Sequence, residues 1–199
     1  MRKNTKILLI WCMKAKRSPL KNMKMKRLLS LLMLALLGGA KAPEKRAHSS
    51  MPLVIEVVAP ALQLAEETGR PAAAMELPDG RIVTGRTSDL LGASSALLLN
   101  ALKALGGMPD DLHMISPVAL DPIQDLKVNH LGNRNPRLHT DETLIALSIS
   151  AATNPMAEYA MQQLSKLRGC DVHSSVILSA VDEKTFKRLG VNLTCEPRY

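Results

Sequence analysis

Aromatic residues are scarce in this sequence, with one Trp, two Tyr and one Phe among 199 residues. Only Tyr159, Phe186 and Tyr199 lie beyond residue 50. Proteins that bind single-stranded nucleic acid usually stack bases on aromatic side chains, so the scarcity argues against such a partner. The core must therefore be built from aliphatic residues and methionine.

Cysteine is also rare: Cys12, Cys170 and Cys195 form no Cys-x-x-Cys pair. This excludes a disulfide framework, leaves a single Cys170–Cys195 bridge as an alternative, and is typical of a reducing compartment. We therefore expect a cytoplasmic protein. The histidines beyond residue 50 show none of the short spacings of common metal motifs, so no metal site is predicted.

Basic charge is confined to one end of the chain. Residues 1–50 hold 13 Lys and Arg against a single acidic residue, Glu44, which gives a net charge of +12. Residues 51–199 hold 13 basic and 17 acidic residues, which gives −4. Because a nucleic-acid-binding domain needs a basic face, the charge distribution again predicts no nucleic-acid partner.

Residues 23–42 have the three parts of a secretory signal, namely a basic start, an apolar run over 28–37 and a small-residue site at 40–42. The run is too short for a bilayer-spanning helix, so we expect no stable membrane span. The alternative is a disordered leader from a misassigned start site. Residues 1–50 are thus predicted to be a basic leader, signal-like or disordered; if the signal works, the protein is exported.

Residues 51–199 are predicted to form a single α/β domain, a mixed sheet with helices on its faces, because strand and helix patterns alternate. The turn residues Pro78-Asp79-Gly80 predict a hairpin. Thr140 is predicted to cap the helix that follows it. The remaining predictions are helices over 53–68, 94–105, 117–127, 140–154, 156–167 and 182–189, and strands over 72–77, 81–84, 112–115, 172–178 and 191–195.

Four segments carry a resemblance to a known family: Glu-Leu-Pro-Asp-Gly-Arg-Ile-Val-Thr-Gly at 76–85, Thr-Ser-Asp-Leu-Leu-Gly-Ala-Ser-Ser at 87–95, Leu-Gly-Asn-Arg-Asn-Pro-Arg-Leu-His at 131–139 and Leu-Gly-Val-Asn-Leu-Thr-Cys-Glu-Pro at 189–197. Through them, residues 53–199 resemble the C-terminal part of the bacterial family domain of unknown function (DUF) 1846. The resemblance implies a longer protein whose N-terminal portion includes a P-loop-like segment. No such motif occurs here, so we expect a fragment that lacks the family's N-terminal domains, and no cofactor is assigned.

The hairpin and the apolar helix after it are also similar to the opening of cytidine-deaminase-like domains. Those enzymes hold zinc with a His or Cys at the start of that helix, beside a catalytic Glu. Here the helix opens Leu-Gly-Ala-Ser-Ser at 91–95, without ligand or acid. The resemblance therefore implies a deaminase-like layered topology without the zinc site.

Polar and charged side chains are densest between residues 131 and 142, at the start of a helix that is predicted to be buried. Guanidinium groups suit carboxylate or phosphate, and a helix N-terminus attracts anions. This predicts an anion site at Arg134, Asn135, Arg137 and His139. The alternative is a contact with the missing N-terminal domains.

Hydroxyl side chains gather between the second strand and the next helix, among them Thr87, Ser88, Ser94 and Ser95. Such a cluster can cradle a phosphate or simply cap the helix; we include Thr87 and Ser88 in the site. His139 beside two carboxylates suits acid–base chemistry or helix capping, so no catalytic residue is assigned and enzyme activity is left open.

We therefore expect a C-terminal accessory domain that binds a small anionic molecule or completes an inter-domain site. The competing hypothesis is a structural module for domain packing or homo-oligomerisation that has no ligand.

Overall fold

The computed structural model describes residues 54–198, with side chains from residue 56 onward. These residues fall within one compact unit, Met51–Tyr199. The predicted basic leader over 1–50 and its signal-like segment lie outside the described residues. Within them, no helix is both long and apolar enough to cross a bilayer.

The described chain alternates six α-helices with four strands. In chain order they are α1 (Val54–Thr68), β1 (Ala72–Glu76), β2 (Ile82–Arg86), α2 (Ala93–Gly106), α3 (Pro117–Asp125), a π-helical turn (Leu126–His130), α4 (Thr140–Ala151), α5 (Pro155–Gln162), a 3-10 turn (Leu164–Leu167), β3 (Asp171–Ser174), α6 (Ala180–Leu189) and β4 (Asn192–Cys195).

The strands form one mixed sheet in the order β2-β1-β3-β4, in which β1 runs antiparallel to β2 and β3, and β3 runs parallel to β4. This confirms the predicted α/β class. The predicted hairpin is also confirmed: Gly80 adopts a φ of +84°, and its N–H donates to the carbonyl of Leu77 at 2.9 Å.

Helices cover both faces of the sheet. Residues that follow one another in a strand point to opposite faces, so Ala74 packs with Val57 and Ala61 of α1, whereas Met75 belongs to the larger cluster on the other face. That cluster holds residues of α2, α4, α5 and α6, including Leu97, Leu147, Ala160 and Phe186.

Gly85 fixes the distance between β2 and α2. A Cβ atom at this position would collide with the backbone of Leu97, so only glycine allows the strand and the helix to approach this closely. Since α2 begins at Ala93, this contact also places the start of α2, where the candidate site lies.

Four sequence predictions need correction. The strand over 112–115 is absent: Met114 is buried in the core, but the segment is irregular and pairs with no strand among the described residues. The strand over 172–178 ends at Ser174. The helix over 117–127 changes to a π-helical turn at Leu126, and the helix over 156–167 ends at Gln162, before a 3-10 turn. A pattern of apolar side chains predicts which residues are buried. It does not predict which backbone N–H and C=O groups form hydrogen bonds, and these decide the type and the end of each element.

Candidate functional site

Three helices begin at one cleft of about 240 Å³. Their N-cap residues, Gly92 of α2, His139 of α4 and Ser179 of α6, all line it. A parallel bridge between Leu91 and Leu138 joins the segments that lead into α2 and α4. The two helix starts are therefore held side by side by backbone pairing.

The start of α4 is capped by carboxylates. The N–H of His139 donates to Oε2 of Glu142 at 2.8 Å, and the N–H of Thr140 donates to Oδ1 of Asp182 at 2.8 Å. The N-cap is thus His139, and the prediction of Thr140 as the cap is wrong by one residue. The cap on Thr140 comes from α6, far away in sequence, which no local pattern around residue 140 reveals.

His139 and Asp182 form a half-buried pair. Nδ1 of His139 lies 3.1 Å from Oδ2 of Asp182, which also accepts a hydrogen bond from Oγ of Ser179 at 2.7 Å. The hydrogen bond to Asp182 raises the pKa of His139 above its ordinary value, against the opposing effect of burial. Burial raises the pKa of Asp182, but hydrogen bonds from His139, Thr140 and Ser179 outweigh it and hold that pKa below its ordinary value.

These contacts use only one of the two ring nitrogen atoms of His139. Within residues 54–198, Nε2 of His139 makes no hydrogen bond, and the residue lines the cleft. An imidazole held through Nδ1 by a carboxylate is oriented and favours its charged form.

Lys127 is a buried cation beneath the site, with only 5% of the residue exposed. Its Nζ donates to Oε2 of Glu142 and to the carbonyl of Arg137, both at 2.6 Å. It therefore holds the carboxylate that caps α4 and the backbone of the polar loop. Sequence reasoning missed this residue, because it lies at the end of an ordinary amphipathic helix pattern.

Sequence reasoning also missed Ser179 and Asp182. A local signal was available, since Ser-Ala-Val-Asp at 179–182 has the Ser-x-x-Asp spacing that marks a helix start. The pattern would have predicted the cap of α6, where Oγ of Ser179 accepts the N–H of Asp182 at 3.2 Å. It would not have predicted the partnership with His139.

Arg137 is the arginine of the polar loop that lines the cleft. Its Nε donates to the carbonyl of Ser88 at 2.7 Å, and its backbone N–H donates to Oδ1 of Asn135 at 3.1 Å. Its two Nη groups have no partner in the described part of the chain. Asn135, Arg137, His139 and Thr87 line the cleft, so the structure brings four of the six predicted residues together.

The other two predicted residues lie outside the lining. Arg134 is exposed on the loop and is absent from the cleft wall. Ser88 acts through the turn before α2: its Oγ accepts the N–H of Leu91 at 3.0 Å, and its carbonyl holds Arg137. Ser88 therefore positions Arg137 without lining the cleft itself.

The start of α2 differs from the other two. Its N-cap is Gly92, which has no side chain to accept a hydrogen bond. Among residues 54–198, no acceptor meets the backbone N–H groups of Ala93, Ser94 and Ser95. Ser94 lines the cleft, is only 3% exposed, and its hydroxyl has no partner in the same range.

No metal cluster accompanies these groups: within the described residues, no three His, Cys, Asp or Glu side chains are placed to hold an ion. His173 is buried on β3, where Nδ1 lies 2.9 Å from Oγ1 of Thr194. It does not line the cleft.

Comparison with known proteins identifies the family. The family model for the domain of unknown function DUF1846, C-terminal, matches residues 54–199. UPF0371 proteins of Corynebacterium urealyticum and Streptococcus thermophilus are 59% and 50% identical to this chain over 143 and 144 residues, in each case 72% of this chain and 29% of the relative. The chain thus spans less than a third of the length of these relatives. It belongs to the family of the domain of unknown function DUF1846, C-terminal, and the relatives that it resembles are bacterial UPF0371 proteins.

Proposed function

We propose that this domain binds a small anionic molecule in the cleft where α2, α4 and α6 begin. The observation that carries the proposal is an uncapped helix start beside Arg137 and His139 in one concave site. The N-terminal end of a helix carries partial positive charge and free N–H donors. A cationic fork and an imidazolium beside it add formal positive charge.

The carboxylate of Asp182 in the same wall does not oppose this function. Oδ1 accepts the N–H of Thr140, and Oδ2 accepts the hydroxyl of Ser179 and lies against Nδ1 of His139. Its charge is paired, and both of its oxygen atoms already accept hydrogen bonds. An incoming anion would therefore interact with Arg137 and the start of α2.

Two arginines three residues apart provide the test. The melting temperature of the full 199-residue chain would be measured with inorganic phosphate, sulfate, acetate and citrate. At least one anion should raise it, by mass action on the folded state. Arg137→Ala should abolish the rise, whereas Arg134→Ala, which removes the same charge from outside the cleft, should preserve it. The proposal fails if no anion stabilises the chain or if the two variants respond alike.

A second candidate function, domain packing, is favoured by the exposed face of α4. Ile145 and Ile149 lie one turn apart on this helix and are 56% and 54% exposed, and Val118 of α3 is 82% exposed. Since the match covers only 29% of the relatives, the partner that we propose for this face is the N-terminal portion of a UPF0371 protein. In that arrangement the N-terminal portion would also complete the nearby site as an inter-domain site.

Association in trans tests the packing function. The N-terminal portion of the Corynebacterium urealyticum relative would be mixed with this chain and complex formation measured by analytical ultracentrifugation. Ile145→Asp combined with Ile149→Asp should abolish the complex, and Ser165→Asp, at an exposed position of the 3-10 turn, should not. Absence of any complex, or a complex indifferent to the isoleucines, would contradict this function.

We place the protein in the cytoplasm as part of the same proposal. Cys170 and Cys195 are both unpaired thiols, and burial raises the pKa of Cys170 to about 11. Free, unreactive thiols are typical of proteins in a reducing compartment.

A further inference from the structure

We infer that the ligand of this cleft is a small phosphate monoester, whose phosphate group lies at the start of α2. The inference rests on the proposed anion-binding function and names the class of anion. Three observations support it: the number of free donors, the unpaired hydroxyl of Ser94 and the apolar side chains in the rest of the lining.

The number of free donors suits a phosphate better than a carboxylate. The start of α2 offers the N–H groups of Ala93, Ser94 and Ser95, which find no acceptor within residues 54–198. Arg137 uses only Nε, and His139 uses only Nδ1. A carboxylate has two oxygen atoms to receive these groups, whereas a phosphate monoester has three terminal oxygen atoms and up to two negative charges.

Ser94 is the second, independent observation. Only 3% of the residue is exposed and it lines the cleft, yet its hydroxyl makes no hydrogen bond in the described part of the chain. The hydroxyl is not among the fully buried unpaired atoms of that part, so a ligand oxygen can reach it and accept its hydrogen bond. The neighbouring Ser95 shows the contrast, because its hydroxyl already donates to the carbonyl of Leu138 at 2.9 Å.

The apolar part of the lining restricts the rest of the ligand. Val176, Ile177 and Leu178 line the cleft, together with Pro71. The cleft volume of about 240 Å³ lies below the usual range of about 300–1,000 Å³ for drug-sized ligands. The organic part of the monoester must therefore be compact and weakly polar.

Titration calorimetry on the full chain tests the class, with inorganic phosphate and acetate as probes. Phosphate should bind about tenfold more tightly than acetate, the equivalent of one extra charge-assisted hydrogen bond. If acetate binds as tightly as phosphate, the phosphate class is wrong while the anion site stands. If neither probe binds, both this inference and the proposed function are overturned.

Two variants of α2 separate binding from folding. Ser94→Ala should weaken phosphate binding about fivefold to tenfold. Gly92→Asp should abolish it, because an Asp at the N-cap accepts the same N–H groups and repels the anion. A Cβ at Gly92 meets only the carbonyl of Leu138 at ordinary distance, so this variant should fold and melt at a higher temperature. Arg134→Ala, on the exposed loop outside the cleft, is the control and should retain binding; unchanged affinity in Ser94→Ala and Gly92→Asp would overturn the inference.

Discussion

The starts of α2 and α4 lie on either side of the Leu91–Leu138 bridge, but their backbone N–H groups have different partners. At α4, Asp182 and Glu142 accept the first N–H groups, and buried Lys127 holds Glu142 in place. At α2, the cap is a glycine, and no acceptor in the described chain replaces it.

The presence or absence of a cap gives the two helix starts different roles, one in stability and one in binding. A capped start contributes to folding, since each cap is typically worth about 1 kcal/mol. An uncapped start gives up that stabilisation and leaves donors for another molecule. We therefore expect substitutions at α4 and α6 to change stability, and substitutions at α2 to change binding.

Asp182→Ala should cause the largest loss. It removes the acceptor of Thr140 and Ser179 and the partner of His139 at once. We expect the free energy of unfolding in urea to fall by about 3 kcal/mol. Glu183→Ala, the exposed carboxylate beside it, should cost less than about 0.5 kcal/mol; equal losses would show that Asp182 is not a structural cap.

Lys127→Met should have the next largest effect. The variant keeps an apolar stem but removes the charged donor that Nζ gives to Glu142 and to the carbonyl of Arg137. A loss of about 2 kcal/mol in unfolding free energy is expected. Lys184→Met, at an exposed position of α6, is the matched control and should be nearly neutral. A neutral Lys127→Met would mean that the α4 cap does not depend on this cation.

Two serines compare the helix starts directly. Ser179→Ala removes the hydroxyl that caps α6 and should cost about 1 kcal/mol. Ser94→Ala removes a hydroxyl with no partner in residues 54–198 and should cost less than about 0.5 kcal/mol. Thermal denaturation of the two variants measures the difference, and the reverse order would contradict the comparison.

The smallest effect is the pH dependence of the His139–Asp182 pair. The folded pKa of His139 is raised, so its contribution is complete below the ordinary value of 6.5 and is lost as pH rises through the folded value. The folded pKa of Asp182 is lowered, so its contribution is complete above 3.8 and is lost as pH falls through the folded value. The difference in unfolding free energy between the parent chain and His139→Gln should therefore be greatest between pH 3.8 and 6.5. A difference that does not change with pH would show that the His139–Asp182 pair does not contribute to stability.

Much of the fold follows from local patterns in the sequence. Gly69 and Gly107, both with positive φ, follow α1 and α2, because glycine adopts this conformation without a Cβ clash. The hairpin followed from its turn residues. The predicted deaminase-like layout stays a prediction, and so do the ligand and the oligomeric state.

The site was only partly predictable, because its geometry depends on contacts between distant segments. The polar density of 131–142 indicated Arg137 and His139, and both line the cleft. Local sequence cannot show that Asp182 reaches His139 across 43 positions, or that Lys127 is buried beneath the loop. It also cannot distinguish Arg134 from Arg137, since only the folded structure shows that Arg137 lines the cleft and Arg134 does not.

The most direct test of the central claim is an amide NMR titration of the full chain with inorganic phosphate. The account predicts saturable shifts centred on Ala93, Ser94 and Ser95, whose N–H groups are free, and smaller ones at Thr140, whose N–H group already donates to Asp182. Shifts centred on the exposed loop around Arg134, or no saturable shift at the start of α2, would contradict it.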